Sequence, residues 1–79
     1  MKRGASLKII GQWSIRESLK VDIDYVVLYL EDELPNQVIR KYEIDGVIYD
    51  IVRVSDIPKA IAINGSGNYV GKTVCFLTE

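Results

Sequence analysis

Gly65-Ser-Gly-Asn-Tyr-Val-Gly71-Lys72-Thr73 is the segment whose composition most invites a chemical reading. Glycines ahead of Gly-Lys-Thr can let backbone N–H groups cradle a phosphate. That loop needs Gly, four residues, then Gly-Lys-Ser/Thr, which would set its first glycine at position 66. Ser66 stands there, with Gly65 and Gly67 one place off on either side. The loop must also open a helix whose free N–H groups hold the phosphate, whereas Val74-Cys75-Phe76-Leu77 reads as strand. Nucleotide hydrolysis is therefore not expected. Cys75 is the lone cysteine, and the chain has no histidine to lower its pKa. Lys72, three residues earlier along a strand, falls on the opposite face, so a packed thiol is expected. Asp22 and Asp24 share a strand face, and Glu31, Asp32 and Glu33 lie together in a connection. Calcium or magnesium would need several oxygens converging from a shaped loop, and acid–base work would need a pocket. A barrel this small fills its interior with side chains, so a solvated acidic face is expected. The chain is thus read as non-catalytic, with no metal or cofactor.

Binding remains the open class. Arg40, Tyr42, Tyr49 and Arg53 share one face of a hairpin, a basic-aromatic platform for single-stranded nucleic acid if that face points outward. If it points inward, Tyr42 and Tyr49 are core. The net charge of −1 argues against surplus phosphate binding. It is unevenly spread, because Lys2, Arg3, Lys8, Arg16 and Lys20 precede a stretch rich in Asp and Glu.

These residues must be held by strands. Every odd position from Trp13 to Val27 except Glu17 is apolar, and the even positions from Ser14 to Asp24 are polar. A period of two means extended chain with one buried and one wet face, which assigns Trp13, Tyr25 and Tyr29 to the core side. The run is too long for one straight strand and is expected to break near Glu17-Ser18, although Ser14 to Glu17 has capping-box spacing. From Tyr25 to Leu30 both faces are apolar, as in a deeply buried strand. Leu7–Gly11 reads as a short first strand bent at Gly11, after a flexible segment at residues 1–6.

Asp45-Gly46 is the strongest turn signal, since both residues tolerate the positive φ of a two-residue type I′ loop. It sets Ile44 opposite Val47, Tyr42 opposite Tyr49 and Lys41 opposite Asp50. Pro58 marks a turn, residues 60–63 a short apolar strand, and residues 69–77 a last strand with Gly71 as a bulge or a close backbone approach.

Seventy-nine residues with 48% hydrophobic content make one domain able to build a core. One cysteine and the lack of a long apolar segment near the start point to a reducing, cytoplasmic setting and no membrane. Asn68-Tyr69-Val70 resembles the Asn-Tyr-Val near the end of Src-homology-3 domains, a likeness of three residues that implies a barrel of that general shape. The Ala-Leu-Tyr-Asp-Tyr and paired-tryptophan segments of that family are absent here, so proline-peptide binding is not implied. The expected fold is all-β, a five- or six-stranded partly closed barrel of Src-homology-3-like or related Greek-key type, with at most one short helical or 3₁₀ turn. The expected function is a protein-interaction or assembly module, docking on another protein or on copies of itself through the edges of its first and last strands. Its surfaces would be the Gly65–Asn68 loop with Tyr69, and the hairpin face carrying Tyr42 and Tyr49. The alternative is single-strand nucleic-acid binding through Arg40, Tyr42, Tyr49 and Arg53.

Overall fold

The computed structural model describes residues 2–14, 25–36, 38–52, 58–65 and 67–79. The expected break at Glu17-Ser18, the Asp22/Asp24 pair, Ser66 and Arg53 lie outside them. Among the described residues, six antiparallel strands form a curled half-barrel: β1 (Lys2–Ser14), β2 (Tyr25–Leu30), β3 (Ile39–Ile44), β4 (Val47–Asp50), β5 (Ala60–Asn64) and β6 (Thr73–Thr78). Their spatial order is β4-β3-β6-β1-β2-β5. The first and last strands are therefore the centre of the sheet, not its edges. Lys2 opposes Thr78 and Leu7 opposes Val74, so the chain ends satisfy one another's backbone groups. Residues 2–6, read from sequence as a flexible leader, are the opening of β1. The edges are β4 and β5, and Val52, just beyond β4, bridges to Ala62 of β5.

The Asp45-Gly46 hairpin has the register its turn chemistry dictates. Asp45 and Gly46 have φ of 57° and 82°, and Ile44, Tyr42 and Lys41 oppose Val47, Tyr49 and Asp50. Lys41 forms its ion pair with Asp50 across the strands.

The long β1 is where the alternation misleads. Its pairing with β2 shifts between Ile9 and Gly11, leaving Ile10 as an extra residue. A one-residue bulge reverses which face each later side chain takes. Leu7 and Ile9 face the core before it, and Gln12 and Ser14 take that side after it, opposite Leu28 and Val26. Trp13 and Tyr29, assigned to the core by their parity, are instead 39% and 38% exposed on the outside. Val26, Leu28 and Leu30 fill the core in their place, beside Ile61, Ile63, Ile44, Val74 and Phe76. Phe76 is fully buried and stacks edge-on with Tyr42, with ring centroids 5.7 Å apart. Burial of one such side chain contributes about 1.5–3 kcal/mol.

β6 starts at Thr73, later than its apolar pattern suggests. Tyr69 to Lys72 form a tight turn instead, closed by the Lys72 N–H donating to the Tyr69 carbonyl at 3.1 Å, with Gly71 at φ 92°. No helix follows the Gly71-Lys72-Thr73 sequence, so the phosphate-loop geometry is absent here.

Candidate interaction surface

Hairpin direction decides what becomes of the aromatic platform. Tyr42 is buried in the core and Tyr49 packs against it, so that face points inward. The charges of Lys41, Glu43 and Asp50 on the other face carried this signal, since ions stay wet. Arg40 leaves the face altogether. The β3–β6 register slips between Ile39 and Lys41, which turns Ile39 toward the core and sends Arg40 outward to an ion pair with Glu79. Arg40, Tyr42 and Tyr49 are therefore not assembled into an exposed platform, and Arg53 lies outside the described residues. Replacing both Tyr42 and Tyr49 by alanine would damage the fold rather than expose a binding defect.

Tyr49 and Tyr69, from separate candidate patches, are brought together. Their rings meet edge-on at 5.9 Å, and their hydroxyls lie 3.5 Å apart. Burial and the neighbouring Tyr49 hydroxyl push the Tyr69 phenol up to about 12. Desolvation also raises Tyr42. Gly65 is required beside this pair, because a Cβ there would come within 2.7 Å of the Tyr69 hydroxyl. Sequence reasoning missed Gln12, the side chain that holds the loop. Its amide donates to the Gly67 carbonyl and accepts the Tyr69 N–H at 2.8 Å. Asn68 stays exposed, and its side chain accepts the Val70 N–H at 3.2 Å.

With Tyr69 turned inward, the end of the half-barrel presents other residues. The Ile9 carbonyl accepts the Gly71 N–H, and the Ile9 N–H donates to the Lys72 carbonyl, both at 2.9 Å. Lys72 in turn pairs with Asp45 at 3.1 Å. The β1 bulge, the Tyr69–Lys72 turn and the hairpin tip are thereby tied together. Each displays one exposed aliphatic side chain: Ile10 at 60%, Val70 at 47% and Val47 at 51%. None of these was singled out from sequence. Gly11 marked the bend, but an aliphatic residue at a bulge looks like any other strand residue.

Cys75 is a buried free thiol, as its neighbours Val74 and Phe76 suggested. It sits on the outer face opposite Ser6 and Glu43. Arg3, on β1, reaches over β6 to pair with Glu43 on β3. The Cys75 sulfur and then the Glu43 carboxylate raise the Arg3 pKa, holding the guanidinium charged. Among the described residues, no helix is long and apolar enough to cross a membrane. Comparison with family models, curated proteins and solved structures finds no match to this chain.

Proposed function

We propose that the chain is a non-catalytic interaction module that docks on a protein partner through the end of the half-barrel bearing Ile10, Val47 and Val70. The observation that supports this reading is their exposure on turns cross-tied by Ile9 and by the Lys72–Asp45 pair. Apolar groups on preordered backbone lose little entropy on binding, so their burial goes into affinity. The edge strands support it second, since β4 and β5 end the hydrogen-bonded order of the described sheet. A reducing cytoplasmic setting suits a buried free thiol. The Src-homology-3 likeness contributes shape alone, because Tyr69 faces inward and lines no peptide groove there. Single-strand nucleic-acid binding ranks second: among the described residues, Arg3, Arg40, Lys41 and Lys72 are each paired with a carboxylate rather than left for phosphate.

The test is a pull-down from native cells, with and without nuclease, comparing the natural chain with a V47D/V70D variant. Partners that survive nuclease and are lost from the variant are the expected result. Equal capture by both chains rejects this surface, and partners that vanish with nuclease promote the nucleic-acid reading.

A further inference from the structure

The outer face of the β1–β2–β5 region is a second surface, separate from the barrel end. Paired residues share a face, so Gly11 with Tyr29, Trp13 with Val27, and the β5 partners Ala60, Ala62 and Asn64 all point outward. None of them is charged, in a chain that is 27% charged. Trp13 and Tyr29 are part-exposed and Tyr25 is half-buried, while Val27, Ala60 and Ala62 form a buried floor beside the rings. Tyr29 lies over Gly11, where an added Cβ would meet its ring at 3.2 Å. The Trp13 N–H and the Tyr25 and Tyr29 hydroxyls make no hydrogen bond within the described structure.

Charge and area select the occupant. A nucleic acid would need cations on this face and a basic peptide would need acids, and its paired positions supply neither. A second copy would meet no repulsion, but the face is too small. Three strands at about 4.8 Å spacing and a Tyr25–Tyr29 span of about 13 Å give on the order of 200 Å² of flat area. Stable protein interfaces bury roughly 800 Å² per partner. What remains is a narrow, uncharged, elongated ligand with flat C–H faces and polar rims. We propose that this face binds a neutral oligosaccharide lying along β2. The sugar C–H faces pack on the electron-rich ring faces of Trp13, Tyr25 and Tyr29. The free indole N–H and phenol hydroxyls serve its hydroxyl groups.

Trp13 is the only tryptophan, so its fluorescence reads this face directly. The full chain is titrated with cellohexaose and, separately, maltohexaose, at low and high salt. Expected is a saturable change in Trp13 emission with at least one sugar, unaltered by salt and weakened about tenfold in Y29L. Y25L provides the same reading if Y29L fails to keep the natural chain's unfolding midpoint. No saturable change with either sugar at millimolar concentration overturns the proposal. So does a response to oligothymidylate that salt abolishes, which assigns the face to nucleic acid. An emission shift that depends on protein concentration without ligand overturns it in favour of a second copy.

Discussion

The two halves of this sheet share one core but wear different outer faces. On the β6–β3–β4 half, the outward rows run Arg3, Leu77, Lys41, Asp50 and Ser6, Cys75, Glu43, Ile48. Leu77 and Cys75 are buried in these rows although they point away from the core. The Arg3–Glu43 and Lys41–Asp50 pairs span the rows, and long charged side chains can cover apolar neighbours with their stems. On the β1–β2–β5 half, the outward rows hold Trp13, Tyr25 and Tyr29 among Gly11, Ala60 and Ala62, with no ions. The first face is finished within the chain. On the second, Val27, Ala60 and Ala62 are buried as well, while Trp13 and Tyr29 keep part of their ring surface exposed. The same alternating pattern can thus make a solvated ladder or a ligand-ready platform, depending on whether the outward residues can pair with each other.

Breaking this contrast at its origin gives the largest expected effect. Deleting Ile10 removes the bulge residue and would turn Trp13 inward and Gln12 outward. The core cannot accept that exchange, so cooperative urea unfolding followed by circular dichroism should disappear; a normal transition would mean that the bulge does not set the faces.

The seam between the halves, where Tyr49 meets Tyr69, yields a pH prediction. The folded Tyr69 phenol titrates at about 12 against about 10 when unfolded, so folding favours its neutral form. That contribution is complete below pH about 10 and is lost as pH rises towards about 12. Urea midpoints measured across this window should fall in the natural chain and fall less in Y69F. An equal fall in both would place the alkaline sensitivity elsewhere.

Next in size is the turn that orients the charged half. Gly46 has φ 82° and open space around it, so G46A meets backbone strain alone. A loss of about 1–2 kcal/mol is expected in equilibrium unfolding, and no loss would contradict the type I′ geometry.

The smallest stability effect belongs to R3A. Exposed ion pairs are screened by solvent and contribute little, so the midpoint should barely move. The Cys75 thiol should nevertheless react faster with a disulfide reagent once Arg3 is gone. An unchanged rate would show that the Arg3–Glu43 pair does not shield it.

Much of the architecture was legible because it is local. Asp45-Gly46 specifies positive φ at consecutive residues, and that alone sets the Tyr42–Tyr49 and Lys41–Asp50 register. The apolar run from Tyr25 to Leu30 specifies a buried strand, and Val74-Cys75-Phe76 specifies a packed thiol. The candidate site was legible only in part. Asn68 and Tyr69 mark the right loop, but the exposed residues around it are Val70, Val47 and Ile10. Nothing in the type of an aliphatic residue says whether a turn will lift it into solvent.

From its order of residues alone, this chain determines that it is all-β, where its tight hairpin turns, and which apolar residues are available for a core. Tertiary structure decided everything that depends on parity and neighbours. A bulge at Ile10 and another at Arg40 each reverse a face, and pairing between the chain's two ends moves the edges to β4 and β5. The physical reason is that a strand pattern has two faces and no sign. Only the partner strand, through its register, tells the chain which face is inside.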